Sequence, residues 1–204
     1  TTLGLLVWLW LTMRARTARD ANDARDATPW RAPAASLQRA RGLATIAFVA
    51  LAMQILLGGW TSTNYAAMAC PDLPRCQNEW VPEADYRDAF VLWRGLDINY
   101  AGGVLDHPAR VAIHFTHRLG AVVATLLLTL AALAAIRLRH AATRHAALFV
   151  LGALAVQIAI ATTMVLKTFP LTLAAAHNAG AALLLIAMVM LMRALRPVRP
   201  VSSG

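Results

Sequence analysis

Two histidines, His117 and His177, stand inside runs otherwise built from alanine, valine, leucine and isoleucine. An imidazole in so apolar a setting is costly, and ionisable groups within membrane segments usually serve a function. The first lies in "IHFTHRLGA" (113–121) and the second in "AAAHNAGA" (174–181). Each is followed three residues on by a glycine, Gly120 or Gly180, and then by an alanine. Each also lies six residues past the first residue of its apolar run, Val111 or Leu171. At ~1.5 Å per helical residue, both sit about 9 Å below the start of their helix. Two imidazoles at one depth suit the two axial positions of a haem iron, and helical bundles commonly house such cofactors. The plainer alternative is a pair of interhelical hydrogen bonds with nothing bound. Residue i+3 shares the histidine's helix face. Glycine there lets a flat macrocycle approach the backbone, or else packs one helix closely on another.

The remaining polar groups near these runs have more open roles. His114 lies one turn above His117, and the second run has Ala174 in the equivalent place. It suits a hydrogen bond to a haem propionate or to a loop. Arg118 is rotated about 100° from its neighbour His117 and suits a propionate, Asp106 or an outward reach to the interface. Gln54 and Gln157 read as interhelical hydrogen-bond formers rather than cofactor contacts. "CPDLPRC" holds both cysteines, Cys70 and Cys76. On an oxidising face the pair reads as a disulfide closing a short loop, with a redox relay as the alternative. The other histidines, His107, His140 and His145, read as loop residues. The chain lacks the glycine-rich phosphate loop, HExxH, the nucleophile elbow and CxxCH.

The elements that must position these groups are apolar helices. Hydrophobic residues make up 59% of the 204 residues and charged residues only 14%, against about a quarter charged in soluble domains. Four stretches, 43–60, 111–136, 146–166 and 171–192, approach or exceed the roughly 20 apolar residues that cross a hydrocarbon core. Residues 1–13 read as the end of a truncated helix, so the sequence is expected to be a piece of a longer chain. Residues 14–42 read as an arginine-rich linker, 43–195 as a four-helix transmembrane bundle with an outer loop at 61–110, and 196–204 as a tail. "EADYRDAFVLW" (83–93) suggests a short surface helix. Asp106 and Pro108 suit the cap and first turn of the next helix.

The net charge of +9 records orientation rather than a nucleic-acid partner. Arginines crowd the linker, the loop at Arg137, Arg139 and Arg144, and the end at Arg193, Arg196 and Arg199. The outer loop instead carries Asp72, Glu79, Glu83, Asp85, Asp88, Asp97 and Asp106. By the positive-inside rule the arginine-rich side and the C-terminus are cytoplasmic. No nucleic-acid reading motif accompanies the charge. Internal similarity adds a further constraint. "LAMQILLG" (51–58) resembles "LAVQIAIA" (154–161), and "HRLGA" resembles "HNAGA". The expected fold is therefore an all-α membrane protein: two repeated hairpins, glutamine helix then histidine helix, related by a pseudo-twofold axis.

Three segments, "LGGWTSTNYAAMACPDLPRCQ", "GGVLDHPARVAIHFTHRLGA" and "AAAHNAGAALLL", resemble the second half of the haem A synthases of proteobacteria and mitochondria. The likeness covers residues from about Leu43 to Met192. It implies an eight-helix parent, of which this chain holds the end of helix four and helices five to eight. It also implies oxidation of a methyl group of haem O to a formyl group, giving haem A for cytochrome c oxidase. Under this resemblance His117 and His177 match the second-half histidine pair, whose iron is that of a haem b. His114 stands where the first half has a glutamate, and Cys70 and Cys76 match outer-loop cysteines. The chain lacks the first-half histidines and that glutamate, so by itself it is expected to bind haem b without catalysing the oxidation. The implied setting is the bacterial inner membrane, with loop 61–110 periplasmic. A haem O synthase and an electron-transfer protein are the implied partners, beside the lipid bilayer. The alternative of another class is a b-type cytochrome subunit passing electrons through a bis-histidine haem.

Overall fold

The computed structural model describes residue 10 and residues 33–96 and 99–196. The expected truncated helix, apart from residue 10, most of the linker and the tail beyond Arg196 lie outside the described residues. The element order is α1 (Ala34–Thr63), α2 (Tyr86–Ala89), α3 (His107–Ile136), α4 (Ala141–Leu166) and α5 (Leu171–Ala194). No strand occurs among the described residues. The fold is all-α, and α1, α3, α4 and α5 are each long and apolar enough to cross a membrane.

These helices start earlier than their hydropathy suggests. α1 begins at Ala34 and α3 at His107, because arginines end an apolar run without ending a helix. Arginine is a good helix former, and at 30 residues α1 spans ~45 Å, against a hydrocarbon core of ~30 Å. The expected surface helix at 83–93 shrinks to α2, four residues long. Asp85 caps it by accepting from the N–H groups of Arg87 and Asp88, and the backbone leaves helical geometry at Phe90.

The chain forms two compact units. One comprises Thr1–Phe48, Leu127–Leu154 and Ala182–Gly204. Its buried side chains are mostly small: Ala40, Ala44 and Ala47 from α1, Ala131, Ala132 and Ala135 from α3, and Ala147 from α4. Small side chains let membrane helices approach closely, where packing rather than water exclusion holds them. The other unit comprises Val49–Leu126 and Ala155–Ala181. There the outer loop packs on the start of α3, with Ala66, Ala89 and Leu105 clustered against Ala109, Ala112 and Ile113. Trp60 donates its indole N–H to the Ala89 carbonyl at 2.9 Å, which ties α2 to the end of α1. Large apolar side chains such as Met53, Leu56, Leu119, Val122 and Val156 point outward. In water that much exposed apolar surface would be a liability; in a bilayer it meets acyl chains.

Candidate functional site

The two histidines occupy matching settings within one unit. On the first hairpin, Gln54 of α1 brings its amide nitrogen 3.0 Å from Nδ1 of His117 and donates to the His117 main-chain oxygen at 2.9 Å. On the second, Gln157 of α4 stands 3.1 Å from Nδ1 of His177 and donates to the His177 main-chain oxygen, also at 3.1 Å. Both glutamines are thus interhelical hydrogen-bond formers, and their partners are the two histidines.

Within the protein, each glycine packs against the neighbouring helix's glutamine. A Cβ on Gly120 would collide with Oε1 of Gln54, and one on Gly180 with Oε1 of Gln157. The space at i+3 therefore admits the glutamine amide. Each of these Oε1 atoms is buried without a hydrogen-bond partner among the described residues, which normally costs about 1–3 kcal/mol. Gly120→Val and Gly180→Val should each push the amide off the ring and destabilise the fold by about 1–3 kcal/mol through overpacking. Gly59→Ala, where the added carbon meets open space, should leave the thermal midpoint nearly unchanged. Equal midpoints for all three variants would refute this role of the glycines.

A third glycine was not expected at the site. A Cβ on Gly58 would lie 3.2 Å from Cε1 of His117, so the ring rests close against the α1 backbone. The repeat places Ala161 at the corresponding position. "LGGW" marks the place in the sequence, but nothing in it points to the ring.

His114 and Arg118, both on α3, bond to the outer loop. His114 is buried, with Nδ1 3.1 Å from the Ala66 carbonyl and Nε2 3.3 Å from Nε of Arg118. Arg118 can only donate, so Nε2 accepts, while Nδ1 lies between the Ala66 carbonyl and the Cys70 N–H, which is 3.4 Å away. Both ring nitrogens meet protein groups, as the loop reading expects. The ring also meets Phe169 edge-on, with centroids 6.0 Å apart. Arg118 takes neither Asp106 nor the interface. Its guanidinium donates to the carbonyls of Cys70 at 2.6 Å, Asp72 at 2.7 Å and Arg75 at 2.8 Å. Four of its five N–H groups are committed.

The loop that Arg118 holds is closed by a Cys70–Cys76 disulfide. Cys76 and Glu79 exchange backbone hydrogen bonds at 3.0 and 3.1 Å around Gln77 and Asn78, both left-handed at φ 57° and 62°. That is the pattern of a type I′ turn. The Asp72 carboxylate accepts from the N–H groups of Gln77 and Asn78 at 2.8 and 2.9 Å. Partial burial opposes the charged form of Asp72, but these N–H groups and the Arg118 charge outweigh it and hold its pKa below the ordinary value. Its stabilising contribution is therefore present above the usual carboxylate range and is lost as pH falls through the lowered value.

A family model described as cytochrome oxidase assembly protein, COX15-CtaA, matches residues 1–189. The chain belongs to this family. It is 41% identical over 155 residues to a heme A synthase of Shewanella oneidensis, covering 76% of this chain and 46% of the relative. It is 32% identical over 187 residues to a heme A synthase of Paracoccus denitrificans, covering 88% of this chain and 42% of the relative. A heme A synthase of Rhizorhabdus wittichii is 32% identical over 189 residues, covering 90% and 45%. The chain thus spans a little under half the length of the curated relatives it matches. No solved structure is a significant match. The family likeness seen in the three sequence segments is borne out, and with it the reading as a multi-pass membrane protein.

Proposed function

We propose that this chain is the haem b-binding C-terminal half of a haem A synthase, an oxidoreductase that converts a methyl group of haem O to the formyl group of haem A. His117 and His177 would hold the iron of the haem b. The observation that carries this reading is the repeated glutamine–histidine–glycine arrangement, with its two buried Oε1 atoms. Iron ligation through Nε2 requires a proton on Nδ1, and that proton requires an acceptor. In the structure the amide nitrogen faces Nδ1 in both hairpins. Turning each amide brings an unpartnered Oε1 to that proton, at the loss of its bond to the histidine's main-chain oxygen. The residues present therefore fit the group. Haem b held here supplies a one-electron redox centre.

The protein's own part is to fix two rings at one depth, to set their tautomer and to cover the outer end with the disulfide loop. The arginine-rich helix ends lie in the cytoplasm, loop 61–110 faces the periplasm, and the membrane is the bacterial inner membrane. Haem O chemistry requires the first half of the parent, so this chain alone is inactive. A haem O synthase and an electron-transfer protein are the partners of the complete enzyme.

The test is to titrate haemin into the purified full chain and record the reduced spectrum. One low-spin haem per chain is the expected result. A high-spin spectrum, or none, would defeat the ligand assignment. Producing the chain together with the first half of a relative should restore haem A in extracts of the cells.

A further inference from the structure

We infer that the arginine-rich end of the molecule holds a phosphate group, that of an anionic phospholipid, between α1 and α5. A cavity of about 310 Å³ there is lined by Arg41, Ala44, Thr45, Met192, Leu195 and Arg196. Arg41 projects from α1 and donates from Nε to the main-chain oxygen of Leu195, just past the end of α5. That bond accounts for one side of its guanidinium. On the other side, Nη2 is buried and has no hydrogen-bond partner among the described residues.

A buried guanidinium nitrogen without an acceptor is strongly disfavoured, and the usual remedy is a carboxylate. None is at hand. The unit that contains this cavity has no aspartate or glutamate among its described residues, while Arg39, Arg137, Arg139, Arg144, Arg193 and Arg196 add to its positive charge. The missing acceptor then comes from outside these residues, and the surrounding positive charge favours an anion. Guanidinium groups pair with phosphate through parallel N–H bonds, and basic pockets between membrane helices receive phospholipid headgroups. The wall of the cavity is half apolar, through Ala44, Met192 and Leu195. A lipid phosphodiester, with glycerol and acyl carbon beside its charge, suits that wall better than a free inorganic ion.

The experiment is native mass spectrometry of the full chain released from detergent, with phosphatidylglycerol, phosphatidylcholine or inorganic phosphate added. The expected result is one retained phosphatidylglycerol per chain, with phosphatidylcholine not retained. Arg41→Gln should weaken that retention about tenfold, the loss of one charge-assisted contact. Arg41→Lys should restore only part of it, because an ammonium keeps the charge and loses the fork. Thr45→Val replaces a hydroxyl of the cavity wall with a methyl group. It costs only an exposed bond to the Arg41 main-chain oxygen and leaves the Arg41–Leu195 bond in place. Retention should therefore weaken with little change in melting temperature, and a general loss of folding is distinguished. If inorganic phosphate at equal concentration displaces the lipid, the phosphate site stands and its occupant is the free ion. Equal retention by wild type and Arg41→Gln, or equal retention of both lipids, would overturn the proposal. So would lipid binding that appears only after Asp20, Asp23 and Asp26 are changed to asparagine, because the chain's own carboxylates would then fill the cavity.

Discussion

Replacing either His117 or His177 with alanine should abolish the low-spin haem b absorbance of the purified chain. Under the proposed ligation each ring would supply one of the two protein bonds to the haem iron, and a low-spin haem needs both. His114, the nearest histidine in sequence, has both nitrogens engaged, by Ala66 and Arg118, and the cysteines are tied in a disulfide. The measurement is a reduced-minus-oxidised spectrum at matched protein concentration, with circular dichroism to show that helix content is retained. A wild-type spectrum from either variant would remove that histidine from the site. Gln54→Leu and Gln157→Leu provide a graded comparison. They keep the ring and remove the group that orients it, so haem should be retained with a shifted midpoint potential.

Arg118→Ala should release the disulfide loop from α3. Three carbonyls lose their donors at once, each worth about 1–3 kcal/mol where it stays shielded from water. Since part of this loop is exposed and can be rehydrated, a total near ~3 kcal/mol is expected. Arg118→Lys should recover little, because one ammonium on a flexible stem cannot span the carbonyls of Cys70, Asp72 and Arg75 as a planar fork does. Thermal unfolding gives the size of the effect. Faster proteolysis within 70–79, and faster reduction of the disulfide by added thiol, would locate it. A loop that remains as protected as in the wild type would show that Arg118 is not what secures it.

The helices were legible in the sequence because lipid leaves so few residue types to choose from. Residues 171–192 correspond closely to α5, whose run begins just after Pro170 and ends near Arg193. The start of α1 was not legible, since the arginines at 39 and 41 end the apolar signal while the backbone hydrogen bonds continue. The histidine pair was visible through its spacing, and the glutamines through the repeat. What the glycines make room for was not visible. The contact that decides it lies between helices, and a glycine admits a macrocycle and an amide equally well on paper. Arg118 was the least legible residue. Its acceptors are main-chain oxygens 43–48 positions away, and a carbonyl has no letter in the sequence. Only the folded loop shows that a charge inside a membrane helix serves as a clasp for backbone.

Gly58 has a consequence for chirality. Two hairpins related by a perfect twofold would offer an incoming planar ligand two indistinguishable ways to face. A molecule whose two sides differ would then settle as an equal mixture. Here one imidazole rests against a bare backbone at Gly58, whereas the duplicate carries the methyl group of Ala161. One missing carbon makes the halves unequal, and a planar ligand that lacks a twofold axis in its own plane can tell one way of facing from the other.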